Sequence, residues 1–202
     1  MSSNDIKKIV LNVGGNNKET PLPAYYNGWE HVLLDLDLTG KPDLHMDAVD
    51  MVELEPSQYD AVYCSQNLEH YYRADVPIVL QGMRHVLKDD GFVEILVPDI
   101  EQLIKAAYEN KLDIDDALYE IPGFGPITVH DYIFGYEFSS DPIGREICLH
   151  KTAFTQKSLE GFLKSNGFPF VFASNTWVWQ IQMIGFKAKP GRLARDIFGI
   201  VL

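Results

Sequence analysis

Cysteine is scarce in this chain and basic residues are outnumbered. Only Cys64 and Cys148 occur among 202 residues, far apart, so neither a disulfide framework nor a paired-cysteine metal motif is available. Two reduced thiols suit a reducing compartment, and a cytoplasmic location is expected. Lys and Arg total 17 against 29 Asp and Glu, a net charge of -12, which opposes attraction to nucleic-acid phosphates and anionic membranes. No nucleic-acid partner and no membrane contact are therefore expected. No apolar run approaches the length of a membrane span, and the opening residues Met1-Ser2-Ser3-Asn4-Asp5 lack the apolar stretch of a signal peptide. The six histidines, at positions 31, 45, 70, 85, 130 and 150, form no H-E-x-x-H pair, so no metal is expected. Ser65 lacks the G-x-S-x-G elbow of a hydrolase nucleophile.

What the chain does have is 46% hydrophobic residues, enough for one domain spanning residues 1–202. Its organising stretch is Ile9-Val10-Leu11-Asn12-Val13-Gly14-Gly15: a β-branched apolar run ending at two glycines, read as a buried parallel strand and a tight turn. In open α/β sheets the ligand crevice lies beyond the carboxyl ends of the strands, and a glycine lets backbone approach a ligand closely. The third glycine of a dinucleotide-binding loop is missing. Asn16, Asn17, Pro21 and Pro23 follow instead, so the first helix is expected to be short or absent and pyrophosphate binding loses its main device.

Strands and helices then alternate. Val32-Leu33-Leu34 leads to Asp35, a carboxylate placed to accept from ribose hydroxyls, with Asp37 as the fallback. A weaker strand ends at Asp47-Ala48, where the carboxylate suits an exocyclic amine. A fourth strand, from Tyr59 to Cys64, is closed by the polar cluster Ser65-Gln66-Asn67-Leu68-Glu69-His70. Residues 73–88 carry helical spacing behind an Asp75 cap, with Asp89-Asp90-Gly91 as the stop, and residues 92–97 form a fifth strand. Asp99 caps a further helix whose apolar face is read as Leu103, Ile104, Ala107 and Tyr108. Thr155 opens another, with Phe154 and Leu159 as a hydrophobic staple. Two last strands follow; in the second, Trp179, Ile181 and Met183 alternate with Gln180 and Gln182, predicting one wetter face.

The glycine turn, the acid after the second strand, Asp47-Ala48, Tyr59-Asp60 through Ser65, Leu68-Glu69-His70, Met83-Arg84-His85-Val86-Leu87-Lys88-Asp89-Asp90-Gly91 and Val97-Pro98-Asp99 together resemble a class I S-adenosylmethionine-dependent methyltransferase. The pattern is similar to the small methyltransferases that read F-D-x-I-x-x-S-H-x-L-E-H, R-V-L-K-P-G-G and V-P-D in that order, and it extends to about Gly167. The resemblance implies an α/β, Rossmann-like methyltransferase fold: a mostly parallel, seven-stranded-type sheet, a C-terminal antiparallel hairpin, a reduced first helix and an inserted lid. It implies S-adenosylmethionine as cofactor, held by Asn12, Gly14, Gly15, Asp35, Leu36, Asp47, Ala48, Ser65 and Gln66. It also implies methyl transfer to a small-molecule acceptor.

Two departures stand out. The first motif has Asn12 where the family usually has Asp or Glu, and the histidine after the family's serine is Gln66 here. A second reading is therefore a degenerate methyltransferase fold that serves as a non-catalytic binding or scaffolding subunit. Residues 110–150 form an insert too long for a connector, read as a lid or acceptor-binding segment over the carboxyl ends of the strands. Asn67, His70, Asp131 and Tyr132 are the expected acceptor contacts. His150, in a segment similar to the family's H-K-x-x-F-T, and His130 are the candidate bases, since imidazole exchanges protons near neutral pH. The tail from Pro190 suits docking on its own domain or on a second copy of the chain, which leaves a homo-oligomer open.

Overall fold

The computed structural model describes residues 7–123, 125–135, 146, 148–174 and 178–201. One seven-stranded sheet carries the architecture. It contains β1 (Ile9–Val13), β2 (Glu30–Asp35), β3 (Leu44–His45), β4 (Tyr59–Ser65), β5 (Leu87–Pro98), β8 (Phe170–Ser174) and β9 (Gln180–Phe186), in the order β3-β2-β1-β4-β5-β9-β8. The first five run parallel, and β9 pairs antiparallel with both β5 and β8. This is the mixed α/β sheet with a terminal antiparallel hairpin that the motifs predicted. A separate two-stranded antiparallel hairpin, β6 (Ala117–Ile121) with β7 (Gly125–Thr128), lies within the expected insert.

The register fixes where the crevice is. Val13 pairs with Leu34 on one side and with Cys64 on the other, so Gly14, Asp35 and Ser65 emerge from the sheet at one level. The chain leaves β1 for β2 on one side and later enters β4 on the other, the topological reversal at which such sheets bind ligands. Gly14 has φ +70° and its N–H donates to the Leu34 carbonyl at 2.9 Å. A Cβ there would lie 2.0 Å from the Asn67 amide nitrogen, so glycine is required by conformation and by space.

One sheet face packs Leu11, Val13, Val62, Val93 and Ile95 against α1 (Val76–Val86), α4 (Gln156–Ser165) and the 3₁₀ helix Ala48–Glu53. α1 is shorter than its periodicity predicts. The chain leaves the helix at Leu87 because Leu87 already pairs with Tyr59 as the start of β5, and Asp89-Asp90-Gly91 lie inside that strand. Asp75 stands at the N-cap without a side-chain cap bond. Thr155, by contrast, forms a full capping box with Ser158, and Phe154 and Leu159 are both buried at the start of α4.

The opposite face shows how the missing helix is replaced. Between β1 and β2 the only helical element described is the 3₁₀ turn Ala24–Tyr26. Tyr25, Tyr26 and Trp29 cover Val10, Ala61 and Phe92 there, together with α5 (Arg192–Phe198), whose Phe198 ring sits 5.5 Å from Tyr25 and 5.1 Å from Phe92. The tail thus docks on its own chain. Glu94 lies beneath this layer, accepting from Tyr26 Oη at 2.7 Å and from the Gln182 amide at 2.6 Å, with Tyr25 Oη as a third donor. Burial raises its pKa while these three bonds pull it back down. The wetter face predicted for β9 is therefore not wet: Gln182 is buried and its amide serves Glu94.

α2 (Ile100–Asn110) begins as expected, with Asp99 accepting from the backbone N–H of Glu101 and Gln102. Its apolar face is narrower than predicted. Leu103 is buried, but Ile104 is 63% exposed and Tyr108 86% exposed. Leu103 joins a small cluster with Ile127 of β7 and Val129 and Tyr132 of α3 (Val129–Phe134). Among the described residues no helix is long and apolar enough to cross a membrane.

Candidate functional site

Two cavities open at the carboxyl ends of the strands, and His70 lines both. The smaller, about 290 Å³, is walled by the ends of β1 to β3: Val13, Gly14, Leu34, Asp35, Leu36, Met46, Asp47, Ala48 and Val49, with Asn67, Tyr71 and Lys151 opposite. Its polar groups are chiefly acceptors. Asp35 is held by two backbone donors, the N–H of Asn16 on one oxygen at 2.9 Å and of Asp37 on the other at 2.8 Å. Each oxygen keeps a lone pair for an incoming hydroxyl. Asp47 accepts from the Val49 N–H at 3.2 Å, which caps the Ala48–Glu53 turn and aims the carboxylate.

Tyr71 is the group the sequence reading missed here. Its hydroxyl donates to Asp47 at 3.0 Å, and the Ala48 backbone N–H faces the same oxygen. Burial, then Asp47, pushes the phenol far above its ordinary pKa, so it is a neutral donor at any physiological pH. A donor and an acceptor adjoining one another are what a nucleobase amine and ring nitrogen would meet, and Tyr71 occupies both. The carboxylates and the apolar walls suit a nucleoside, and Tyr71 stands between Asp47 and the Ala48 N–H, where a base would have to displace it.

The remaining residues expected at the cofactor divide. Asn12 is buried on the other side of the strand, its amide 3.2 Å from the His31 ring, and a Cβ on Gly15 would run into it. Neither Asn12 nor Gly15 lines the cavity. An alternating strand sends Leu11 and Val13 to one face and Asn12 to the opposite one. Ser65 lines neither cavity and interacts with the Tyr63 hydroxyl. Gln66, at φ +51°, lines the larger cavity instead.

That second cavity, about 520 Å³, has an aromatic wall. Tyr119 and Trp179 stack with centroids 5.7 Å apart and planes 24° from parallel, beside Pro98, Ile121 and Ile127. Tyr132 is tied down at the rim, donating to the Trp179 carbonyl at 2.6 Å and accepting from the Asp99 N–H at 2.7 Å. Asp131 lines the cavity but serves the α3 capping box through Thr128. β6, β7 and α3 supply these groups from within residues 110–150; residues 124, 136–145 and 147 lie outside those described.

At the junction of the cavities stand Glu69, His70 and His150. His70 donates through Nδ1 to the Leu149 carbonyl at 3.1 Å, and His150 through Nδ1 to the Tyr132 carbonyl at 3.2 Å. A carbonyl only accepts, so each ring carries a proton on Nδ1; the Gln66 backbone also interacts with His70 and the Ile133 backbone with His150. The rings lie 5.2 Å apart. Burial, followed by the neighbouring His70, lowers the His150 pKa to about 4, and burial lowers that of His70. Glu69 is 1% exposed, and among the described residues its carboxylate oxygens have no hydrogen-bond partner outside the residue itself, whose own backbone N–H lies beside them. Burial raises its pKa to about 8. His130 is elsewhere: its side chain is 51% exposed, beside Asp131 and Phe134, and lines neither cavity.

Residues 29–95, from just before β2 to within β5, match the family model described as a methyltransferase domain. No curated protein matches the chain in sequence. Among solved structures, a S-adenosylmethionine-dependent methyltransferase from Archaeoglobus fulgidus superposes with a TM-score of 0.56 at 15% identity, covering 89% of this chain and 86% of that one. The 1,6-didemethyltoxoflavin-N1-methyltransferase of Burkholderia thailandensis, solved with 1,6-didemethyltoxoflavin and S-adenosylhomocysteine, gives 0.52 at 17% identity, covering 91% and 72%. A possible histamine N-methyltransferase from Thermotoga maritima gives 0.55 at 10% identity, covering 90% and 83%.

Proposed function

We propose that this chain, a class I S-adenosylmethionine-dependent methyltransferase by family match and fold, methylates a flat, partly apolar small molecule held in the larger cavity. The observation that carries the reading is the pair of adjoining cavities at the topological reversal. One is lined by aimed carboxylates and the other by an aromatic stack, with His70 between them.

Asp35 would hold the ribose hydroxyls, Asp47 and Ala48 the adenine edge once Tyr71 has moved, and the Gly14 backbone would lie under the methionine part. The cofactor supplies a methyl group on a sulfonium, already a good leaving group. What remains for the protein is placement and proton handling. The Tyr119–Trp179 wall orients a planar acceptor. His150, which lines the larger cavity, is neutral at physiological pH. A base whose conjugate acid lies near 4 is poorly matched to an aliphatic alcohol. It suits an acceptor that attacks as a neutral ring nitrogen or acidic hydroxyl and sheds its proton as the new bond forms.

Calorimetric titration with S-adenosylhomocysteine tests the reading. The wild type should bind, and Asp35→Ala should lose about 1.5–3 kcal/mol, roughly 10- to 150-fold, for hydrogen bonds to a charged acceptor. Absence of binding in both the wild type and Tyr71→Phe overturns it and leaves the scaffolding role. That second reading is favoured by two observations: Asn12 is committed to His31, and Tyr71 already satisfies Asp47.

A further inference from the structure

Three side chains at the junction of the cavities, the candidate base His150 among them, bring ligand-type atoms together from two segments of the chain. Glu69 and His70 sit in the 3₁₀ turn Leu68–His70 that follows β4, and His150 comes from the segment that leads into α4. Backbone bonds join the two segments: the N–H groups of Lys151 and Thr152 both donate to the Glu69 carbonyl, at 2.8 and 3.1 Å. The His150 N–H is itself tied to the Phe134 carbonyl at 2.9 Å, so the imidazole is positioned from both ends. One oxygen of Glu69 and one nitrogen of each histidine lie within 4.8 Å of one another.

Each group is prepared as a ligand. Both imidazoles spend Nδ1–H on a backbone carbonyl, the outer bond that orients a metal-ligating histidine. Glu69 is the more telling member. Among the described residues no donor from another residue reaches its carboxylate, and a carboxylate buried so costs several kcal/mol. A cation removes that cost.

We propose that Glu69, His70 and His150 bind a divalent first-row transition-metal ion of the zinc class at the floor of the larger cavity. Two nitrogens and one oxygen disfavour magnesium and calcium, which take oxygen ligands. Ligand atoms at 2.0–2.2 Å from a tetrahedral ion stand about 3.3 Å apart, so the cluster must contract by no more than about 1.5 Å, within the reach of side-chain rotation. Three protein ligands leave a coordination position open toward the cavity, where an oxygen, nitrogen or thiolate of a bound molecule would be held deprotonated. The sequence reading expected no metal because spacing motifs see only ligands close along the chain, and His150 is 80 positions beyond His70.

The site is tested without donor or acceptor, so its failure is separate from that of the methyltransferase reading. Chelator-stripped full-length chain is titrated with zinc in competition with a chromophoric chelator. The wild type should take up one equivalent with submicromolar affinity, and cobalt(II) should give visible bands of a four- or five-coordinate site. Glu69→Gln, which preserves shape, and His150→Ala should each weaken binding at least about 50-fold with circular dichroism and melting retained. Cys148→Ser and His130→Ala should bind as the wild type does. No stoichiometric uptake overturns the proposal, as does uptake that survives in Glu69→Gln or disappears in Cys148→Ser.

Discussion

Tyr71 donates to Asp47, so a nucleobase amine has to displace a bond already made. Removing the hydroxyl should release that competition: Tyr71→Phe is expected to tighten S-adenosylhomocysteine binding by about 0.5–1.5 kcal/mol, read by calorimetry. Weaker binding would instead make Tyr71 a ligand contact. His150 sets a second expectation. In the metal-free chain, where burial lowers its pKa to about 4, the turnover of a found acceptor should be flat through neutrality and fall only as pH drops through about 4. His150→Gln should lower the plateau without moving cofactor affinity. At this scale the sequence was informative at some strand ends: Asp35, Asp47 and His70 line a cavity, whereas Ser65 lines neither and Asn67, expected at the acceptor, lines the smaller cavity. It misled at Asn12, where which face of β1 looks at the crevice depends on register, and at His130, whose exposed side no local pattern distinguishes from a buried one.

Between elements, Asp60 does the joining. It accepts from the Ile9 N–H at 2.9 Å, pairs with Lys88 at 2.9 Å and lies 3.5 Å from Lys8, so one carboxylate links β4 to the starts of β1 and β5. Burial alone would raise its pKa, but Lys88, the Ile9 N–H and Lys8 together hold it below the ordinary value. A depressed folded pKa means stability that is present above the unfolded value near 4 and lost as pH falls through the folded one. Asp60→Asn should therefore cost about 1.5 kcal/mol at pH 7, the low figure reflecting partial solvent screening. The gap in urea midpoint should narrow as pH falls below about 4 and through the lowered folded pKa. The strands, caps and staple of these elements were legible because they are local: Asp99, Thr155 and Phe154 act within a few residues. The end of α1 was not, since Leu87 is claimed by Tyr59 across the sheet.

At the level of the molecule, the aromatic layer of Tyr25, Tyr26 and Trp29, closed by α5, stands where a crossover helix would otherwise cover the sheet. The sequence announced the missing helix through Pro21 and Pro23, but nothing local says that residues 192–200 fill its place. Phe198→Ala removes a half-buried ring from that layer and should cost about 2 kcal/mol, seen as a lower melting temperature with S-adenosylhomocysteine affinity per folded molecule unchanged.

The same layer sets a timetable. A crossover helix would shield the first strands soon after they are made, whereas here Tyr25, Tyr26 and Trp29 cover Val10, Ala61 and Phe92 only in part until the ribosome has delivered Ala194 and Phe198. During most of synthesis that side of the sheet should keep an incompletely covered apolar surface, the kind that chaperones engage and that sticks to other nascent chains. Closing a loop of more than 160 residues also raises the mean sequence separation of contacts, so refolding in vitro should be slow and the last step should be the tail.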